Sequence, residues 1–169
     1  MHSKLPHINL YAHCQFITFR TKESVDGYVT KLQNSSVSTK QKQYEIDKYL
    51  DHSANGAYFY GERIEMMRDV ILEKNGLLYE LEVCSIMPNH VHLLLKQQAD
   101  LAKIMKCIKG ESAAVLNKSL LRTGTFWLRG YYDVAIRDQK HFDRAFEYIV
   151  NNPKKANLQD ERVFSKYEL

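Results

Sequence analysis

Residues 77–95 read LLYELEVCSIMPNHVHLLL, two apolar runs rich in strand formers and split by Met87-Pro88-Asn89. Runs of this length bounded by a short turn predict a β-hairpin, with a first strand over residues 77–86 and a second over 90–95. Pro88 is tolerated because a residue in the connection need not donate to the ladder. Strand periodicity then puts His90 and His92 on one face of the second strand, roughly 7 Å apart at Cα.

The flanking segments build a layer around that hairpin. Upstream, YAHCQFITF at residues 11–19 reads as a strand and the polar, turn-rich residues 21–38 as a loop. Thr39 is the expected N-cap of a helix running to about residue 49, and Ile64, Met67, Val70 and Ile71 give a second helix its apolar stripe before Asn75-Gly76 ends it. Both helices read as framework. Downstream, Leu101, Ile104, Met105, Ile108, Ala113, Leu116 and Leu120 keep helical register. FWLRGYYDVAI at residues 126–136 reads as a strand, and Phe142, Ala145, Phe146 and Ile149 mark a last helix stopping at Asn152-Pro153. This order predicts an α+β fold: a ferredoxin-like antiparallel sheet with helices on one face and a helix at the C-terminus, as one domain over residues 1–169.

Composition narrows the class. Twenty-four Lys and Arg against 20 Asp and Glu give a net charge of +4, compatible with a polyanionic partner without requiring one. Cys14, Cys84 and Cys107 are far apart, odd in number and lack CxxC spacing, which suggests neither a disulfide framework nor a zinc knuckle and fits a reducing cytoplasm. No apolar window is long enough for a bilayer, so a soluble protein with no membrane partner is expected.

Two segments carry candidate chemistry. His90 and His92 can reach one cation, or can each satisfy a structural hydrogen bond in the core. A histidine-triad nucleotide hydrolase is disfavoured, since Leu94 stands where that pattern needs a third histidine. In FEYIVNNPKKANL, residues 146–158, Tyr148 and Asn152 lie four apart on one helix face. A phenol attacks poorly at neutral pH unless a cation or base favours the phenolate, so Tyr148 reads as a nucleophile or as a packing residue.

Together these segments resemble the single-tyrosine HUH transposases, especially the REP-associated tyrosine transposases. The resemblance rests on three blocks in order: His90-Val91-His92 followed by aliphatic residues, Trp127-x-Arg129-x-x-Tyr132-Asp133-x-x-Ile136-Arg137, and Tyr148-Ile149-x-x-Asn152-Pro153. The opening Leu5 to Ile8 and the TFR ending at Arg20 extend it over nearly the whole chain.

That resemblance implies that His90, His92 and Asn152 bind Mg²⁺ or Mn²⁺ and that Tyr148 attacks a scissile phosphate. It implies metal-dependent nicking and strand transfer on single-stranded or hairpin DNA through a 5′-phosphotyrosine link. Members of the family include homodimers with shared sites and monomers, and both stay open here. Arg129, Arg137, Lys154 and Lys155 are candidate DNA contacts, Lys154 and Lys155 reading equally as a solubilising tail. Two other readings stay open: a single-stranded nucleic-acid binding protein without catalysis, and a metal phosphohydrolase that uses the histidines without a covalent intermediate.

Overall fold

The computed structural model describes residues 14–167 and 169. The first residues of the expected N-terminal strand and the Leu5–Ile8 segment therefore lie outside the described residues.

Among the described residues five strands form one antiparallel sheet: β1 (Cys14–Arg20), β2 (Tyr79–Ile86), β3 (His90–Gln97), β4 (Tyr132–Ala135) and β5 (Val163–Ser165), in the order β4-β1-β3-β2-β5. The helices are α1 (Gly27–Gln33), α2 (Thr39–Leu50), α3 (Glu62–Glu73), α4 (Leu101–Ser119) and α5 (Gln139–Lys155). The hairpin of β2 and β3 forms as expected, with Ile86 paired to Val91.

Central strand β3 is buried almost throughout, so both of its faces need cover. Val91, Leu93 and Leu95 pack with Ile64, Met67 and Ile71 of α3 and Ile104, Met105 and Ile108 of α4. The expected one-face cover holds for α3 and α4. On the other face, Leu94 and Val83 pack with Ile149 of α5. The C-terminal helix is thus present as expected, its apolar stripe covering the side of β3 that α3 and α4 leave open.

Other boundaries also differ from expectation. Residues 21–38 are not all loop, because Asp26 caps α1 by accepting from the backbone N–H groups of Tyr28 and Val29, both at 3.0 Å. Ser38 rather than Thr39 caps α2, accepting from the N–H of Gln41. The strand expected over residues 126–136 shrinks to β4, since Gly130 takes φ +83° and breaks the extended run. Helix α5 continues through Pro153 to Lys155. A proline in the last turn forfeits a single backbone hydrogen bond, and the N–H groups of Ala156 and Leu158 still reach the carbonyls of Asn152 and Pro153. No helix among the described residues is long and apolar enough to cross a membrane.

The connection from α2 to α3 is tied tightly to β1. Gly56 has φ +62°, and a Cβ there would lie 2.2 Å from Thr21 Oγ1, so only glycine permits the approach. Thr21 donates to the Gly56 carbonyl at 2.9 Å. Asn89, in the β2–β3 turn, donates to the carbonyls of Leu50, Ser53 and Asn55 at 3.1, 3.1 and 3.3 Å. The C-terminal end of α2 is thereby fixed beside the histidine strand.

Candidate metal and nucleophile site

Both histidines sit on the face covered by α5. Register places Arg20 opposite His90, Thr18 opposite His92 and Ser85 on the other flank of His92. Each imidazole is fully buried, and their ring centroids lie 4.8 Å apart.

Their hydrogen bonds define where the lone pairs point. Asn89 uses its amide nitrogen on three carbonyls, so its Oδ1 is left to accept from His90 Nδ1 at 2.8 Å. The proton of His90 then resides on Nδ1, and Nε2 carries a lone pair. That Nε2 is buried without a hydrogen-bond partner and faces Asp51 Oδ1, itself unpartnered, at 3.7 Å. A lone pair opposed to a carboxylate oxygen repels unless a proton or cation lies between them. On His92, Nδ1 lies 2.7 Å from Thr18 Oγ1 and Nε2 lies 2.9 Å from the Asn152 amide.

Helix α5 delivers the other expected residues together. Asn152 is buried on His92, and one turn earlier the Tyr148 ring stands edge-on to the His92 ring with centroids 5.4 Å apart. The Tyr148 hydroxyl donates to Asp47 Oδ2 at 2.9 Å. Asp47, from α2, also accepts from Gln43 Nε2 at 2.7 Å through Oδ1. Donor atoms of Asp47, His90 and His92 all lie within 4.8 Å of one another.

The electrostatics share one cause. Burial pushes His92 down to about 3, and burial with the neighbouring His92 and Arg20 holds His90 well below the usual imidazole range. Neutral imidazole is the form that ligates metals. Burial pushes Asp47 up to about 7 against the opposing pull of Tyr148, Arg20 and Gln43. Burial together with the Asp47 charge pushes Asp51 up to about 7. The Tyr148 phenol is raised by burial and by Asp47. A buried divalent cation would favour the ionised carboxylates and phenolate against burial and the neutral imidazoles along with it, so this donor set fits one.

A cleft of about 620 Å³ reaches Asp47 and Tyr148 from the surface, walled by Phe16, Tyr44 and Tyr132 and edged by Lys40, Arg137, Lys140 and Arg144. A second of about 310 Å³ adjoins it and includes Arg20 and Arg129. Arg129 and Arg137 therefore stand at cleft mouths, while Lys154 and Lys155 are exposed at the end of α5. Lys155 is close enough to Asp51 to oppose its upward shift.

Sequence reasoning missed Asp47, Asp51 and Arg20. The spacing of Asp47 and Asp51 on one helix face was visible, but nothing in it tells which partner that face meets.

Comparison with known proteins bears on the fold and the family. No curated protein sequence matches the chain. A solved structure of a REP-associated tyrosine transposase bound to a REP hairpin shares 18% identity, with a TM-score of 0.56 over 90% of this chain and 73% of that one. A crystal structure of a protein from Deinococcus radiodurans R1, assigned as a transposase, shares 19% identity over 85% of this chain and 92% of that one, with a TM-score of 0.42. The family model for IS200-like transposases matches residues 57–152, more than half of the chain and the span that carries both histidines, Tyr148 and Asn152. The chain thus belongs to the IS200-like transposase family, enzymes of DNA transposition.

Proposed function

We propose that the chain nicks and rejoins single-stranded DNA, on hairpin substrates, through a covalent bond between Tyr148 and a 5′-phosphate. The observation that supports this most is the packing of Tyr148 against His92, with Asn152 one turn later on the same imidazole. The similar REP-associated transposase is bound to a REP hairpin, which points to the same substrate class here.

In this reading His90, His92 and Asn152 would hold Mg²⁺ or Mn²⁺, Asn152 through its amide oxygen with the two amide ends assigned the other way round. When bound, the cation supplies charge stabilisation at a nonbridging phosphate oxygen. Tyr148 Oη forms a bond to phosphorus as the bond from phosphorus to the 3′-oxygen breaks. The phenolic proton leaves along its hydrogen bond to Asp47 and out through the cleft, and the departing 3′-oxygen takes a proton from solvent. A second 3′-hydroxyl reverses the step and joins a new strand without ATP.

Arg137, Lys140 and Arg144 line the route to Tyr148 and take phosphates, with Arg129 on the adjoining cleft and Lys154 and Lys155 at the end of α5. Phe16, Tyr44 and Tyr132 offer ring faces to an unpaired base. One chain supplies the whole set, so a homodimer is not needed to complete it.

Incubating the protein with labelled single-stranded hairpin oligonucleotides and Mn²⁺, followed by a denaturing gel, tests the reading. A covalent protein–DNA band is expected; cleavage without a band at any time would favour a phosphohydrolase, and binding without cleavage a non-catalytic module.

A further inference from the structure

Two imidazoles and one amide make a neutral, rather soft donor set, a weak match for Mg²⁺ and a moderate one for Mn²⁺. We infer that helix α2 completes the set: Asp47 is a fourth protein ligand to the cation held by His90 and His92. This rests on the metal-dependent reading of the histidine pair and adds a ligand from outside the residues that the family model matches.

Geometry supports it first. Donor atoms that share a cation at about 2.0–2.3 Å stand about 3–4.5 Å apart, and those of Asp47, His90 and His92 already lie within 4.8 Å of one another, all buried. A contraction of a few tenths of an ångström closes the shell. An ionised carboxylate has about four lone-pair sites, so accepting from Tyr148 and Gln43 leaves Asp47 room for a cation.

An independent observation points to the same place. The bare lone pair of His90 Nε2 confronts Asp51 Oδ1 at 3.7 Å, neither atom having a hydrogen-bond partner. Asp51 follows Asp47 by one helical turn. The α2 face therefore brings a second negative group to the site, on the side where His90 offers its lone pair.

The helix is also held where it must be for this role. Asn89 binds the carbonyl of Leu50 at the end of α2 and those of Ser53 and Asn55 just beyond it and, with its remaining oxygen, orients His90. One side chain thus sets both the ligand strand and the carboxylate helix. Val29, Ile46 and Leu50 form a separate apolar cluster that joins α2 to α1. Asp47 is presented by a packed element on an interior face.

Two consequences follow. A carboxylate brings charge and a hard oxygen, shifting the site towards the small oxygen-preferring dications. It also couples the cation to the nucleophile, because the carboxylate that binds the metal is the one that holds the Tyr148 hydroxyl.

The test is Mn²⁺ binding to the metal-free full chain, followed by the electron paramagnetic resonance of the free ion. Asp47→Asn keeps the shape and its hydrogen-bonding reach, and it is expected to weaken Mn²⁺ by about tenfold or more, as loss of even an outer-shell partner commonly does. A dissociation constant within about twofold of wild type overturns the inference, by the same scale. The His90→Ala/His92→Ala double variant separates the two levels: retained wild-type affinity there removes the metal site altogether, whereas loss there with an unaffected Asp47→Asn removes only the carboxylate. Should circular dichroism show Asp47→Asn unfolded, hydrogen exchange of the wild-type chain decides. Slower exchange across residues 43–51 on adding Mn²⁺ is expected, and an unchanged rate overturns the proposal.

Discussion

Thr18 Oγ1 lies 2.7 Å from Nδ1 of His92, its partner across the β1–β3 ladder. When Nδ1–H donates to that hydroxyl, the Nε2 lone pair is turned towards Asn152 and the proposed cation. Thr18→Val preserves shape and strand preference but removes the acceptor. Mn²⁺ affinity is expected to fall about 10- to 100-fold, with Thr18→Ser restoring most of it. Equal affinity for the valine variant in an EPR titration would mean that the strand ladder, rather than the hydroxyl, fixes the imidazole.

Tyr148→Phe removes one oxygen and leaves the ring contacts with His92 and Phe16 in place. The covalent DNA adduct and strand cleavage are expected to vanish while hairpin binding persists, because a site arranged for a phenol does not position water for attack. A persistent adduct on a denaturing gel would move the role to Tyr132. That ring lies on the same sheet face, 6.5 Å from the Phe16 ring, whereas Tyr131 packs into the opposite core.

The cleft also sets the form of the substrate. Tyr148 is half-buried at the inner end of a space of about 620 Å³, so a strand must leave the duplex stack to bring a phosphate to it. Single-stranded and hairpin oligonucleotides are expected to be cut and a blunt duplex of the same sequence left intact. Arg137→Ala should weaken binding across sequences and reduce the salt slope by about one counterion. Identical salt slopes in a filter-binding series would place Arg137 off the phosphate path.

Much of this arrangement was legible because it is periodic. Alternation along β3 put His90 and His92 on one face, and four-residue spacing put Tyr148 and Asn152 on one turn of α5, so each pair needed only local geometry. Asp47 was illegible for the opposite reason. It meets Tyr148 across 101 positions of chain, and helical spacing names a face without naming its partner. Strand β5 escaped notice because three residues carry too short a pattern to read.

Cysteine reactivity gives a pH test of the core. Cys84 is fully buried in β2, and burial pushes its thiol up from 9.0 to about 12. The thiolate is the reactive form, so at pH 8 native Cys84 should resist iodoacetamide and react only after unfolding. A raised acid pKa favours the folded chain at low pH, and this contribution declines as pH rises from about 9 towards 12. Mass spectrometry that finds Cys84 alkylated in the native protein within minutes would contradict this burial.

The last prediction concerns the buried cation that clamps the C-terminal segment. Arg162 is 1% exposed. Its Nη1 donates to the carbonyls of Phe59 and Ile86 at 2.8 and 3.0 Å, and Nε and Nη2 grip the two Asp160 carboxylate oxygens at 2.6 and 2.8 Å. The guanidinium also lies 5.2 Å from the centre of the Tyr60 ring. A planar fork with this many partners cannot be copied by an ammonium. Arg162→Met keeps the apolar stem but leaves buried carbonyls unpaired, which is expected to cost about 2–4 kcal/mol in urea unfolding. Arg162→Lys should recover only part of that, because one point charge cannot serve both carbonyls and the carboxylate together. Ile86 ends the strand that leads into the Asn89 turn, so the same variants should also loosen the histidine hairpin, read as faster hydrogen exchange at residues 86–90. Wild-type unfolding midpoints for Arg162→Met would show that the C-terminal segment docks without this clamp.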